Sequence, residues 1–227
     1  MAEQPETITV EVNERDKVTA LLYSAGGERA GITLILGHGA GGNQLSPFMR
    51  QYASGLAARG FDPLTFNFLY TEQGRGAPDP KAKLESCYSA VIAAADKHKK
   101  LKGNRTAIGG KSMGGRIASQ VAAADGRSIA GLVFLGYPLH PPGKPDQLRD
   151  AHLKDIRAPM LFVQGTRDPF GTPEELRAII KRDNMPATLY VIEGGDHSFK
   201  VPKSSPLSQE QVHEAVMDEI TRSLKAF

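Results

Sequence analysis

The chain of 227 residues has no tryptophan and a single cysteine, Cys87. One thiol excludes an internal disulfide and any zinc site built on several cysteines. No uninterrupted apolar run approaches the roughly 18 residues that mark a transmembrane helix, so none is expected. The opening MAEQPETITV starts acidic and lacks the apolar core of a secretory signal, which points to a cytoplasmic protein. Charge of one sign is scarce as well. Against 28 Lys and Arg stand 25 Asp and Glu, a formal excess of +3. So small an excess argues against a nucleic acid or a membrane as partner, because such partners need basic residues gathered on one face. The densest basic cluster, Lys97, Lys99, Lys100, Lys102 and Arg105, has no interleaved aromatics. It falls at a helix C-terminus, where cations offset the negative end of the helix dipole. His98, His140, His152 and His213 show no paired metal spacing, so neither a metal nor another cofactor is expected.

What the chain does contain is an alternation of short β-branched runs and amphipathic stretches, the signature of a mostly parallel sheet with helices on both faces. At about 100–200 residues per domain, one domain over residues 1–227 is expected. The runs Thr7–Val12 and Val18–Ser24 read as an antiparallel edge pair. Ile32–Leu36, Asp62–Asn67, Arg105–Gly109, Ile129–Leu135, Met160–Gln164 and Thr188–Ile192 complete eight strands. Ser46-Pro47 caps a helix striped by Phe48, Tyr52 and Leu56 and closed by Gly60. Leu84, Cys87, Tyr88, Val91, Ile92 and Ala95 follow a buried helical face, so Cys87 reads as a small buried hydrophobe. Thr172 to Glu175 forms a capping box, and Val212, Val216, Ile220 and Leu224 stripe a last helix. Thr71–Pro80 and Pro138–Pro145 read as loops, and a further helix is expected before Met160.

The chemistry gathers at Gly110-Lys111-Ser112-Met113-Gly114, which follows a strand, precedes a helix and fits G-x-S-x-G, the nucleophile elbow. Glycines two before and two after the serine let the chain reverse tightly, so that the hydroxyl stands exposed above the sheet. A plain glycine turn with an N-capping serine is the bland alternative. A phosphate-binding P-loop is excluded, because Arg105 stands where its first glycine must be and Thr106-Ala107-Ile108 reads as strand. A serine nucleophile needs a base, and the base an orienting acid. Strand Met160–Gln164 runs into Asp168, and strand Thr188–Ile192 into His197. The order Ser, Asp, His is that of hydrolases with this elbow. Asp196 is the weaker candidate acid, since a neighbour in sequence reaches its own ring nitrogen poorly. His38-Gly39-Ala40-Gly41-Gly42 follows strand Ile32–Leu36, where such hydrolases place an oxyanion donor. The N–H groups of Ala40 and Met113 are the expected pair, the latter reinforced by its helix N-terminus. By position at strand ends, Leu69, Tyr70, Tyr137, Leu139, Phe170 and Phe199 are expected to line an apolar acyl pocket, with Met113 beside them.

With these residues in place, the chain resembles the α/β-hydrolase superfamily over nearly its whole length. Within it, the chain is most similar to the small dienelactone-hydrolase-like group that includes the testis-expressed and chromatin-complex-associated hydrolase-like proteins. GHGAGG, GGKSMGGRIA, LGYPLHPPGKP, QGTRDPFG and GGDHSF carry the likeness. The resemblance implies a serine hydrolase with Ser112, Asp168 and His197 as triad. True dienelactone hydrolases use a cysteine in the elbow; here the elbow holds serine and Cys87 lies elsewhere. The expected function is carboxylesterase-like cleavage of a small-molecule ester through an acyl-enzyme. The same machinery would serve an acyltransferase or perhydrolase, and a non-catalytic scaffold could keep the fold. The short interval between Leu135 and Met160, where hydrolases often insert a lid, predicts an uncapped site.

Overall fold

In the computed structural model, which describes residues 4–125 and 128–227, eight strands form one sheet. They are β1 (Glu6–Glu11), β2 (Lys17–Leu22), β3 (Ile32–Gly37), β4 (Asp62–Phe66), β5 (Arg105–Lys111), β6 (Gly131–Leu135), β7 (Met160–Gly165) and β8 (Ala187–Ile192). The helices are α1 (Pro47–Ala58), α2 (Leu69–Glu72), α3 (Lys81–Lys97), α4 (Met113–Asp125), α5 (Pro173–Arg182) and α6 (Gln209–Ala226). The spatial order is β1-β2-β4-β3-β5-β6-β7-β8, with β2 antiparallel to β1 and β4 and the rest parallel. Strand order reverses between β3 and β5, and in open α/β sheets ligands bind outside the carboxyl ends at such a switch point.

The central strands β3, β5, β6 and β7 are buried almost throughout, as continuous apolar runs covered on both faces must be. Met49, Tyr52 and Leu56 of α1 pack with Val216, Met217 and Ile220 of α6 on one face. Residues of α3, α4 and α5, among them Tyr88, Ile117 and Leu176, cover the other. Each helix start has a local cause. Ser46 Oγ accepts from the Met49 N–H at 3.4 Å, ahead of Pro47. Thr172 and Glu175 form the capping box of α5, and Ser208 and Gln211 form a second one at α6. Cys87 is fully buried on α3, where burial pushes its thiol up to about 12 and leaves it inert.

Two expectations fail. No α-helix precedes β7; residues 136–159 run as loop with one three-residue 3₁₀ turn, Leu153–Asp155. Pro145 and Pro159 bound the stretch left for a helix, and between them Leu153 and Ile156 enter the core from a single tight turn instead. The stretch from Thr71 to Pro80 is not loop at its start, because α2 turns there and carries Leu69 and Tyr70 inward. Among the described residues no separate cap domain covers the sheet edge, and no helix is long and apolar enough to cross a membrane.

Candidate active site

Ser112 sits between β5 and α4 with φ 51°, a left-handed conformation that non-glycine residues seldom adopt and that clusters at functional sites. Its N–H donates to the Leu135 carbonyl at 3.1 Å, which ties the turn to β6. Gly110 and Gly114 make the turn possible. A Cβ at Gly110 would lie 2.2 Å from the Gly37 carbonyl oxygen, and one at Gly114 2.1 Å from the same atom.

Three side chains then line up. His197 Nε2 is 2.8 Å from Ser112 Oγ, and His197 Nδ1 is 2.7 Å from Asp168 Oδ2. Asp168 is buried, and both its oxygens accept further bonds: Oδ1 takes the Phe170 N–H at 2.9 Å, and Oδ2 also takes Gln164 Nε2 at 2.8 Å. With a carboxylate on Nδ1, the ring carries its proton there and presents a bare Nε2 to the serine hydroxyl. The Phe170 ring lies against the imidazole, centroids 4.3 Å apart. Asp196 does not compete for the histidine; its Oδ1 caps its own turn by accepting from the Ser198 and Lys200 N–H groups at 2.8 and 2.9 Å.

Sequence reasoning missed Gln164. It is fully buried, accepts the Tyr137 N–H at 2.8 Å and donates to Asp168 and to the Gly171 carbonyl, each at 2.8 Å. It therefore fixes the acid against both flanking loops. A polar residue at the end of the apolar run MLFVQ was the available signal, because a buried amide must find partners.

The HGAGG segment runs beside the serine: a Cβ at Gly39 would meet Ser112 Cβ at 3.5 Å. His38 holds it there. The Phe68 N–H donates to His38 Nε2 at 3.2 Å, so the proton resides on Nδ1 and is donated to the Gly39 carbonyl at 2.8 Å. Burial lowers the pKa of this imidazole and keeps it neutral. The Gly42 N–H donates to the same carbonyl at 3.1 Å. In a trans peptide, N–H and C=O point opposite ways, so anchoring the Gly39 carbonyl aims the Ala40 N–H away from those partners. Met113 is the first residue of α4, and its N–H has no intrahelical acceptor.

These groups border a cavity of about 610 Å³ lined by Ala40, Phe48, Met49, Ser112, Met113, Phe170 and His197, and by Pro78, Asp79, Lys81, Arg116, Pro138 and Arg149. Of the residues expected to line an acyl pocket, Phe170 and Met113 do so. Leu69, Tyr70, Tyr137, Leu139 and Phe199 do not; they are buried in the core. Tyr137 packs on Phe134 and Phe162 at 5.3 and 5.6 Å, and Phe199 on Phe48 at 5.7 Å. Apolar side chains at strand ends gain more from the core than from a solvent-open cleft, so polar and charged residues line much of the cleft instead. His140, which follows β6 in the loop before β7, turns to Glu175 at 3.3 Å.

Lys111, the residue before Ser112, is buried. Its Nζ donates to the His197 carbonyl and sits 5.6 and 5.8 Å from the centroids of Phe48 and Phe199. Burial pushes its ammonium down to about 8, against 10.5 ordinarily, despite the opposing charges of Asp168 and Asp196. Between those values the unfolded chain binds more protons than the folded one, so this group's contribution to folding stability rises with pH. Relative to Lys111→Met, the parent protein should gain on the order of 2–3 kcal/mol between about pH 7.5 and 10.5 in urea denaturation. A difference independent of pH would show that the ammonium is not buried.

The alpha/beta hydrolase domain family matches residues 30–225. The quorum-quenching protein AidA of Acinetobacter baumannii (strain MDR-ZJ06) is 33% identical over 118 residues, 50% of this chain and 38% of that protein. The match thus spans well under half the length of this relative. An alpha-beta serine hydrolase homologue from Coxiella burnetii superposes with a TM-score of 0.73 at 18% identity, over 100% of this chain and 98% of that one. Dienelactone hydrolase from Anabaena variabilis ATCC 29413 gives 0.72 at 21% identity, over 99% of each. Est1E from Butyrivibrio proteoclasticus, with ferulic acid bound, gives 0.73 at 18%, over 95% of this chain and 98% of that one. At such identities the likeness to the solved structures is one of fold. The family match reaches from the residues before β3 into α6, so it takes in the HGAGG loop, the elbow and both later strand ends, and the chain belongs to the alpha/beta hydrolase domain family.

Proposed function

We propose that this protein is a serine hydrolase that cleaves small-molecule esters through an acyl-enzyme. The observation that carries the reading is the unbroken hydrogen-bond chain from Ser112 through His197 to Asp168, at 2.8 and 2.7 Å. Ser112 Oγ attacks the ester carbonyl carbon, and its proton passes to His197 Nε2. Asp168 holds the Nδ1 proton and stabilises the imidazolium without taking that proton. The Ala40 and Met113 N–H groups receive the carbonyl oxygen as it becomes anionic. Each such donor is worth about 3–4 kcal/mol of barrier. As the tetrahedral intermediate collapses, the C–O bond breaks and the alkoxide leaves with the proton from His197. Water then attacks the acyl-enzyme, its proton goes to His197, and Ser112 Oγ is released with that proton. This route needs no cofactor. An acceptor other than water at the last step would make the same machine an acyltransferase.

A serine hydrolase homologue and an esterase among its structural neighbours support the reading at the level of fold. A fluorophosphonate probe tests it. The probe is expected to label Ser112, located by peptide mass spectrometry, and labelling should be lost in His197→Ala because the hydroxyl is then unactivated. An unlabelled Ser112 in folded protein would overturn the reading in favour of a non-catalytic binding protein.

A further inference from the structure

The cavity in front of Ser112 is cationic. Lys81, Lys111, Arg116 and Arg149 line it, against one carboxylate, Asp79. One oxygen of that carboxylate is engaged, Oδ1 accepting from Arg75 at 2.7 Å, while Oδ2 is buried with no donor among the described residues, so a single carboxylate faces four cations. The other acids nearby are engaged too: Glu85 pairs with Lys81 at 3.5 Å, and Asp150 with Arg182 at 2.7 Å. Arg116 and Arg149 are left over. Arg116 Nε is buried and has no acceptor among the described residues. Buried donors are normally satisfied, and a partly buried guanidinium beside another cation is costly. The two arginines do act on each other: after burial, the charge of Arg149 is the next cause lowering the pKa of Arg116. A positive field at this end of the cavity also reaches His152, pushed down to about 4 by burial and then by Lys81 and Arg116.

Both arginines are held in place. The Arg116 N–H donates to the Ser112 carbonyl at 3.1 Å, so Arg116 stands one helical turn from the nucleophile. The Ser119 hydroxyl donates to the Arg116 carbonyl at 2.7 Å and is itself 2.7 Å from His152 Nε2. Arg149 is pinned through its backbone: its N–H donates to the Leu139 carbonyl at 2.8 Å, and its carbonyl accepts the Tyr137 hydroxyl at 2.9 Å.

We propose that Arg116 and Arg149 form an anion subsite, and that the ester taken by this cavity carries a carboxylate or phosphate group that the two guanidiniums clasp. A planar fork of N–H donors matches either group, and charge-assisted bonds of this kind are about twice as strong as neutral ones. The proposal rests on the ester-hydrolase reading for its substrate, but not for its binding.

Two matched probe pairs and one binding measurement test it. The first pair is p-nitrophenyl hemiglutarate and its methyl ester, with the anion on the acyl side. The second is 4-acetoxyphenyl phosphate and phenyl acetate, with the anion on the leaving group. At least one anionic member should exceed its neutral partner in kcat/KM by about tenfold or more. Arg116→Gln and Arg149→Gln should each bring the ratio of anionic to neutral kcat/KM down to about one. Arg222→Gln, exposed on α6, should leave that ratio unchanged. Arg149→Gln, in a loop, carries the test if Arg116→Gln fails to fold. No anionic preference, or a preference that survives both substitutions, overturns the subsite. Calorimetry with glutarate and with inorganic phosphate needs no catalysis. Binding that depends on the two arginines, without turnover of any ester, would sustain the subsite and overturn the ester reading instead.

Discussion

Replacing Ser112 with alanine is expected to lower kcat for p-nitrophenyl acetate by about 10⁶-fold, the loss typical when a triad nucleophile is removed. The loss should be specific to chemistry. Ser112 Oγ contributes one hydrogen bond, to His197 at 2.8 Å, and alanine keeps the same φ of 51° that serine already tolerates. The change in stability is therefore expected to stay within about 1 kcal/mol, or a shift in Tm of about 2–4 °C. The proposed oxyanion donors belong to the backbone of Ala40 and Met113 and survive the substitution, so a residual rate above the uncatalysed one should remain. Ser112→Ala and His197→Ala should also fail to add. Once the nucleophile is gone its base has nothing to activate, and the double variant should be about as slow as either single one. Additive losses would mean that the two side chains do not act as a unit. Full turnover in Ser112→Ala would remove serine from the chemistry altogether.

The parts of this site that sequence makes legible are those that backbone geometry demands. Gly110 and Gly114 flank Ser112 because atoms of Gly37 lie where side chains would be, and such a constraint is written in residue type at fixed spacing. Asp168 follows the buried run of β7 and His197 follows β8 at the sheet's edge; both strands run parallel to β5, so their ends arrive on the side that carries Ser112. The lining of the cavity was not legible. It draws on residues from several distant segments, including Asp79 before α3, Arg116 on α4 and Arg149 in the loop before β7, and no local pattern records that they meet. The apolar residues that did stand at strand ends, such as Tyr137 and Phe199, were absorbed by the core. Lys111 shows the same limit from the other side. In sequence it looks like the lysine of a failed P-loop; in the fold its ammonium lies over two adjacent aromatic rings and holds the His197 loop. The strands and capped helices were legible because hydrophobic period and capping chemistry are local. The proline-rich segment before β7 was not, because the absence of a helix there leaves the path of the loop to tertiary contacts.

The second large effect is steric, and its sign separates two physical accounts. Gly114 lies in the first turn of α4, where exchanging glycine for alanine would by helix propensity alone stabilise the protein by about 1 kcal/mol. Its surroundings argue the reverse. An added Cβ would sit 2.1 Å from the Gly37 carbonyl oxygen, 2.3 Å from its carbon and 2.9 Å from its Cα. These are backbone atoms of β3, which is paired to β4 and β5, so no flexible side chain can swing aside. Relief requires α4 to lift from the sheet. Overpacking of this kind costs about 1–3 kcal/mol, and the backbone contact places Gly114→Ala at the upper end even after the gain in propensity. Tm should fall by about 6–10 °C for a chain of this length. Activity should fall further than stability requires. Ser112 and the Met113 N–H ride on the start of the displaced helix, and a misplacement of about 1 Å can cost on the order of 10²-fold in rate. Gly76→Ala is the control: nothing lies within 4 Å of its Cβ position, and both Tm and rate should be unchanged. If Gly114→Ala proved as stable as the parent, α4 would not be seated on β3 as described, and the close packing that exposes Ser112 would have to be explained in another way.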